Sequence, residues 1–148
     1  MRSEESITGH NDAATCESRT SSLSWSGGLC SQVCGGGLWF DQGQTAKDTI
    51  ENVQMFQLGN RLARLTGRSE YREKAGQLWL WINKVGMVSQ ETSQVYDGIS
   101  LSSCRTNTNT TFTYTAGTTI GGLVELYLLD RNKTHLQTAH NISMSVIK

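Results

Sequence analysis

Three consecutive glycines, Gly35 to Gly37, lie just before two aromatic residues, Trp39 and Phe40. Glycine-rich loops can hold phosphate groups, but the Lys and the Ser or Thr that complete a phosphate loop do not follow these glycines. The segment therefore does not predict nucleotide binding. Adjacent glycines do allow backbone conformations that are closed to other residues, and the two rings could either form a binding surface or fill the space between helices.

The cysteines and acidic residues do not indicate a metal site or a catalytic nucleophile. Cys30 and Cys34 have a C-x3-C spacing that could begin a zinc site, but no matching second pair is present. The Gly-x-Ser-x-Gly motif of esterases is also absent. Glu51 and Glu125 fall in helical segments, where carboxylates are more often solvated or involved in packing than catalytic. We predict no metal and assign no catalytic role.

Length, charge and hydropathy exclude several classes of protein. The chain has 148 residues and a mass of 16.3 kDa, which fits one domain. Its 13 basic and 13 acidic residues give no net charge that would attract nucleic acid or an anionic membrane. No apolar run is long enough to span a membrane, and Glu4 and Glu5 stand where a signal peptide needs apolar residues. We therefore expect no cofactor, no nucleic-acid partner and no signal peptide in these residues.

The periodicity of apolar residues predicts an all-α protein. Residues 1–33 have no sustained period and are predicted to be irregular or disordered, whereas residues 34–148 are predicted to form one helical domain. The first helix should run from Thr45 to a C-cap at Gly67, and the second from a Ser69 cap to about Gly86. Two further helices are expected at about 114–129 and 134–146, the former buried nearly all round.

The two predicted helical hairpins repeat at an offset of 64 residues, which aligns Gly67 with Arg131. Tetratricopeptide and ankyrin repeats are only about half that length. The offset fits a helical hairpin followed by a long connection, predicted here at residues 87–111. Long loops in small domains are often functional.

Five blocks of sequence resemble one known family in their order and approximate spacing. They are CGGGLW at 34–39, KDTIEN at 47–52, RLARLTG at 61–67, VYDG at 95–98 and FTYTAG at 112–117. The family is glycoside hydrolase family 76, the α-1,6-mannanases, which include the mannan endo-1,6-alpha-mannosidases of fungal cell walls. The resemblance covers about three quarters of the chain, roughly residues 34 to 147.

The resemblance implies a partial (α/α)6 barrel, with about two of its six helical hairpins and long loops in residues 34–148. It also implies a retaining mechanism in which two adjacent aspartates serve as nucleophile and general acid/base. Retention requires the two carboxyl groups to be roughly 5 to 5.5 Å apart across the scissile bond.

This sequence departs from the family at the catalytic position, because it contains no Asp-Asp dipeptide. Asn11–Asp12 is the dipeptide most similar to an Asp-Asp pair, but it lies too close to the glycines and no aromatic residue follows. We therefore expect this chain alone to be incomplete for catalysis. Asp48 and Thr115 stand where the family commonly has Asn, and either could alter a sugar contact, since a carboxylate only accepts hydrogen bonds.

The resemblance also suggests four substrate-binding residues. Trp39 and Phe40 could stack on a mannose ring, Asp97 could accept hydrogen bonds from its hydroxyl groups, and Tyr114 opens the third helix nearby. Packing remains the alternative for the aromatic residues, and an ordinary turn for Asp97. We expect Trp39, Asp97 and Tyr114 to converge at one mouth of the stacked hairpins, whereas the mid-helix residues Trp79 and Trp81 should pack in the core.

Family members carry cysteines at places similar to Cys34 and Cys104, so the resemblance implies a disulfide between them. Three sequons, at Asn109, Asn132 and Asn141, are candidate glycosylation sites. The resemblance implies a secreted, cell-surface or cell-wall protein, attached to a membrane only through an anchor that these residues do not contain.

Two interpretations follow. The first is a mannan endo-1,6-alpha-mannosidase-like glycosidase whose partner is α-1,6-linked mannan or a mannoprotein glycan. The alternative is a non-catalytic helical module that binds carbohydrate or protein through the Trp39 and Asp97 loops.

Overall fold

Four α-helices form two antiparallel hairpins in the computed structural model, which describes residues 33–147. The predicted irregular segment, apart from Val33, lies outside the described residues. A short turn of 3-10 helix at Val33–Gly35 precedes the hairpins. The helices are α1 (Thr49–Thr66), α2 (Ser69–Val85), α3 (Thr113–Asp130) and α4 (Lys133–Ile147).

The predicted helix ends at Gly67 and Gly86 are confirmed. Both glycines adopt left-handed conformations, with φ of +71° and +84°, and the Gly67 N–H donates to the Ala63 carbonyl at 2.9 Å. Arg131 takes the same left-handed position after α3. Since α3 and α4 begin 64 residues after α1 and α2, the predicted repeat is also confirmed.

Two predicted helix starts are wrong. The first helix begins at Thr49 rather than Thr45, because the preceding residues are held in extended pairings: Phe40 N–H donates to the Ala46 carbonyl at 2.9 Å, and Asp48 pairs with Gly98. The second helix is not capped by Ser69. Arg68 is its N-cap, and Ser69 is already helical, because only one residue separates Gly67 from α2.

The hairpins meet through α1 and α3, which run in the same direction, because contacts between them advance along both helices together. A Cβ atom on Gly122 would lie 2.5 Å from the Phe56 ring, so the two backbones approach closely at this point. Further along both helices, Arg64 Nε lies 2.8 Å from a Glu125 carboxylate oxygen. Packing between the hairpins creates a core whose largest fully buried apolar side chains are Phe56, Leu78, Ile82, Met87, Leu123 and Ile142.

The prediction that α3 is buried nearly all round is wrong. Leu123 is fully buried, but Val124 is exposed, and Leu126, Tyr127 and Leu128 are only half-buried. The reason is that α3 packs against α1 and α4 and, among the described residues, has no third helix to cover its remaining side.

The long connection between the hairpins is folded rather than a plain loop. Strand β1 (Ile99–Ser100) pairs antiparallel with β2 (Arg105–Thr106), so that Ile99 faces Thr106. Isolated bridges also join Val88 to Val95 and Tyr96 to Thr111. None of the helices within residues 33–147 has the length and apolar content needed to cross a membrane.

Candidate functional site

The glycine-rich segment lies flat against the indole of Trp81. Gly36 and Gly37 have φ of +148° and +77°, and a Cβ atom on Gly36 would come within 2.8 Å of the indole. Trp81 Nε1 donates to the Cys34 carbonyl at 2.9 Å. The predicted packing role of Trp81 is therefore confirmed, and Trp79 stacks on the Phe56 ring with a centroid separation of 4.8 Å.

A disulfide joins Cys34 to Cys104, the pair that the resemblance implied. The two Cα atoms are 5.1 Å apart although the residues are 70 positions apart in sequence. Cys104 lies in the turn between β1 and β2. The bond thus fixes the glycine-rich segment to the connection that follows Asp97.

Lys47 lies beneath Trp39 and is fully buried. Its Nζ is 4.4 Å from the centroid of the Trp39 ring and donates to the Val33 carbonyl at 2.6 Å and to the Gly36 carbonyl. Burial lowers the pKa of Lys47 to about 8. Trp39 is half-buried, whereas Phe40 is exposed.

Asp97 lies where the beginnings of α1 and α3 meet. Its carbonyl accepts a hydrogen bond from the Thr49 N–H at 2.5 Å, and its own N–H donates to the Thr110 carbonyl at 3.0 Å. The Thr49 hydroxyl donates to the neighbouring Tyr96 carbonyl at 2.5 Å. These bonds hold the backbone of Asp97 while, within residues 33–147, no hydrogen bond to its carboxylate is formed.

Several carboxyl groups interact around Asp97. Burial raises the pKa of Asp48, and the charges of Asp97 and Asp41 raise it further. Burial also raises the pKa of Glu51 to about 7, and the charges of Asp48 and Asp97 act in the same direction against the hydrogen bonds that Glu51 accepts. The site is therefore acidic, and a ligand with hydroxyl donors suits it better than an anion.

The Glu51 side chain takes part in the hydrogen bonding at the start of α1. One carboxylate oxygen accepts the Asp48 N–H at 2.6 Å, in a capping box. The other, Oε2, is buried and has no hydrogen-bond partner among the described residues. Glu125 forms an ion pair with Arg64, as expected for a carboxylate with a packing role. No group of three His, Cys, Asp or Glu within 33–147 is arranged to hold a metal ion.

Tyr114 and Phe112 form an exposed aromatic pair at the start of α3. Their ring centroids are 5.1 Å apart and the planes differ by 20°. The pairing of Tyr96 with Thr111 connects this pair to the Asp97 segment. Thr115, by contrast, is fully buried and its hydroxyl donates to the Phe112 carbonyl at 2.7 Å, so its side chain is not exposed to a ligand.

The backbone thus brings together the segments that carry Trp39, Asp97 and Tyr114 at the end of the molecule where α1 and α3 begin. Trp39 reaches this place through Lys47, whose carbonyl accepts the Ile99 N–H at 3.2 Å. Sequence reasoning missed Lys47 and Asp41, and it considered Glu51 only as a solvated or packing carboxylate, not as one with a raised pKa. The KDTIEN block, with three ionisable residues around a helix start, was the signal that could have identified two of them.

The three sequon asparagines are all exposed. Asn109 lies in the connection before α3. Asn132 precedes α4, where its side-chain oxygen accepts the Thr134 N–H at 3.1 Å and the Thr134 hydroxyl at 2.9 Å. Asn141 lies on α4 and accepts a hydrogen bond from Gln137 at 2.9 Å.

Comparison with known families and proteins gives consistent results. The family model of glycosyl hydrolase family 76 matches residues 17–148. Mannan endo-1,6-alpha-mannosidase DFG5 of Saccharomyces cerevisiae is 38% identical over 104 residues, which are 66% of this chain and 23% of the relative. Mannan endo-1,6-alpha-mannosidase DCW1 of Candida glabrata is 34% identical over 115 residues, which are 73% of this chain and 25% of the relative.

Two solved structures share the fold. Dfg5 from Chaetomium thermophilum, in complex with glucosamine, has a TM-score of 0.70 and 29% identity, over 78% of this chain and 30% of that chain. An inactive variant of an α-1,6-mannanase from a Salegentibacter species, in complex with α-1,6-mannotriose, has a TM-score of 0.71 and 25% identity, over 80% of this chain and 36% of that chain. The predicted partial (α/α)6 barrel is confirmed, and the chain spans about a quarter of the length of its curated relatives.

Proposed function

The chain belongs to glycosyl hydrolase family 76, and from this membership we propose that its described residues form part of the sugar-binding cleft of an enzyme that acts on α-1,6-mannan. The observation that carries the proposal is the junction where α1 and α3 begin. Aromatic side chains and carboxylates lie there on segments joined by backbone hydrogen bonds.

Each candidate residue has a chemical role in this proposal. Trp39, Phe40 and Tyr114 offer aromatic surfaces to the C–H faces of mannose rings, and all three are exposed or half-buried. The Asp97 carboxylate, free of hydrogen bonds from residues 33–147, accepts hydrogen bonds from mannose hydroxyl groups. A hydrogen bond to a charged group contributes about 1.5 to 3 kcal/mol.

The proposed contribution of these residues is binding rather than bond cleavage. The family's mechanism needs two carboxyl groups that face each other across the scissile bond. The sequence contains no Asp-Asp pair, and the Glu51 carboxylate is engaged in the capping box at the start of α1. We therefore expect the 148-residue chain alone to release few or no reducing ends from α-1,6-mannan.

The proposed location is outside the cell or at its surface. Disulfides persist in oxidising compartments, and the Cys34–Cys104 bond fixes a segment of the proposed cleft. Exposed asparagines in all three sequons are accessible to glycosylation, and we propose Asn109, Asn132 and Asn141 as acceptors.

Calorimetric binding of α-1,6-mannotriose to the purified chain tests the proposal. We expect Asp97→Asn and Trp39→Ala each to weaken binding by about tenfold. Glu91→Gln, a change in an exposed carboxylate, should leave it unchanged. Equal affinity in all variants, or equal affinity for maltotriose, would refute a mannan site at these residues.

Released reducing ends test whether the 148-residue chain alone cleaves α-1,6-mannan. Turnover of α-1,6-mannan by the 148-residue chain, abolished by Asp12→Ala, would show that Asn11–Asp12 supplies a catalytic carboxylate and that cleavage has been wrongly excluded. Binding without turnover fits the proposed role.

A further inference from the structure

Lys47 is buried without an acidic partner. The residue is fully buried, a condition that proteins rarely impose on lysine unless it is paired. Within the part of the chain that the structure describes, no carboxylate lies within ion-pair distance of its ammonium group. Since desolvation of an unpaired charge is costly, the surroundings must supply other compensation.

That compensation comes from two carbonyl groups and two indole rings. Nζ donates to the carbonyls of Val33 and Gly36. It also lies 4.4 Å from the centroid of the Trp39 ring and 5.7 Å from that of Trp81. Attraction between a cation and an aromatic face is strongest when the pair is desolvated.

The backbone of Lys47 is fixed independently of its side chain. Its carbonyl accepts the Ile99 N–H at 3.2 Å, and the next residue, Asp48, pairs with Gly98. The side chain therefore extends from the segment that pairs with the Asp97 segment to the glycine-rich segment and Trp39. The Lys47 side chain thus links two segments of the candidate site.

We propose that Lys47 is a positioning residue: its positive charge holds the glycine-rich segment and one face of the Trp39 ring, and so fixes the aromatic surface beside Asp97. The effect on mannan binding rests on the proposed function. The placement of the ring does not, because it concerns contacts within the chain alone.

The amino group, rather than the hydrocarbon stem, is the essential part. An apolar side chain of similar shape, such as methionine, would leave the Val33 and Gly36 carbonyls without their donor, and an unsatisfied buried acceptor costs stability. Deprotonation leaves a neutral amine that can still donate to both carbonyls, but it removes the attraction between the positive charge and the Trp39 ring. Because burial lowers the pKa of Lys47 to about 8, the charge can be removed in solution without any substitution.

The effect of Lys47 titration must be distinguished from that of other titratable groups nearby. Cys34, in the same segment as the two acceptor carbonyls, is in a disulfide and does not titrate. The neighbouring segments carry Asp41, Asp48, Glu51 and Asp97, and the pKa of Glu51 is raised to about 7. Glu51→Gln removes the carboxyl whose raised pKa lies close to the range of interest.

An NMR titration of the Trp39 ring C–H resonances between pH 6 and 10 tests the inference, with the resonances assigned by their loss in Trp39→Phe. We expect a shift with its midpoint near pH 8 in the natural chain, retained in Glu51→Gln and absent from Lys47→Met. The same curve in Lys47→Met, or no shift between pH 7 and 9 in the natural chain, would overturn it.

A second measurement needs no variant, in case Lys47→Met does not fold. The Cε resonance of Lys47 should titrate in the natural chain with the same midpoint as the Trp39 ring. Two different midpoints would show that the ring responds to another group and would overturn the inference.

Binding of α-1,6-mannotriose then separates this inference from the proposed function. We expect affinity to fall by about fivefold from pH 7 to pH 9 in the natural chain and to be independent of pH in Lys47→Met. A Trp39 titration in a chain that does not bind mannotriose would support the positioning role and refute the proposed function. Binding that has no pH dependence would overturn the role of Lys47 in it.

Discussion

Asn52 and Asn60 lie in the same helix and are both fully buried, but their side chains are used differently. Asn52 accepts the Leu38 N–H at 2.8 Å and donates to the Asp48 carbonyl at 2.6 Å. Neither polar atom of the Asn60 side chain has a hydrogen-bond partner within residues 33–147. The first amide fixes the segment before α1, whereas the second is a cost to the fold.

Alanine substitution at the two positions should therefore give unequal results. Both changes bring the same gain in helix propensity, so the difference reports on the hydrogen bonds. We expect Asn52→Ala to lower the free energy of unfolding by about 2 to 3 kcal/mol and Asn60→Ala to change it by less than about 1 kcal/mol. Urea denaturation measures both, and equal losses would contradict the assignment of Asn60 as unsatisfied.

The raised pKa of Glu51 makes stability depend on pH. Its carboxyl binds a proton with a pKa of about 7 in the fold, against an ordinary value of 4.5. Between these two pH values the folded state therefore binds more protons than the unfolded state. The stabilisation that this proton binding contributes is complete below about pH 4.5 and is lost as the pH rises through 7.

Glu51→Gln should remove this dependence. Glutamine can still accept the Asp48 N–H in the capping box but carries no charge. We expect the variant to be more stable than the natural chain at pH 8 by about 1 to 2 kcal/mol, after allowance for solvent screening. Melting temperatures from pH 4 to 8 provide the measurement. The exposed Glu91→Gln is the control, and an unchanged pH profile in Glu51→Gln would refute the assignment.

At the scale of elements, the contact between α1 and α3 depends on the lack of a side chain at Gly122. The Phe56 ring occupies the space that a Cβ atom would need. Gly117, five residues earlier in the same helix, has nothing within 4 Å of its Cβ position. Substitution by alanine should therefore change the free energy of unfolding in opposite directions at Gly117 and Gly122.

We expect Gly117→Ala to raise the free energy of unfolding by about 0.5 to 1 kcal/mol, because alanine favours the helix. Gly122→Ala should lower it by about 1 to 3 kcal/mol, because the added methyl group overpacks the core. Thermal denaturation of the two variants decides the question. Stabilisation by Gly122→Ala would mean that the hairpins do not pack as described.

Most helices could be predicted from the sequence because their signals are local. Gly67 and Gly86 end α1 and α2, and each is identified by its neighbours in sequence. The strands β1 and β2 could not be predicted, because two-residue strands have no period and their segment is held by distant residues such as Asp48. For the same reason the burial of Lys47, in a polar stretch of sequence, emerges only from tertiary contacts.

At the scale of the whole molecule, apolar side chains remain exposed on several helices. Leu65, Leu80 and Ile147 are 64%, 71% and 75% exposed. Apolar patches of this kind favour association. The chain spans only about a quarter of the length of its relatives, so the 148 residues produced by themselves leave these faces open to solvent.

We therefore expect the isolated chain to melt broadly, with a transition that depends on protein concentration. Sedimentation velocity should show association that Leu80→Lys reduces. Leu78→Lys is the matched control, because Leu78 lies in the same helix but is fully buried, and its replacement should unfold the chain. A sharp, concentration-independent transition at high temperature would contradict this expectation.

The Cys34–Cys104 bond also sets an order of events during synthesis. Cys34 leaves the ribosome 70 residues before its partner, a delay of roughly 4 to 14 s at ordinary translation rates of about 5 to 20 residues per second. Throughout that interval Cys16 and Cys30 are also within reach of Cys34 in the nascent chain. A bond that forms early between Cys34 and either of these cysteines must be exchanged before the Cys34–Cys104 bond can form. We therefore expect efficient production of this protein to need a disulfide isomerase.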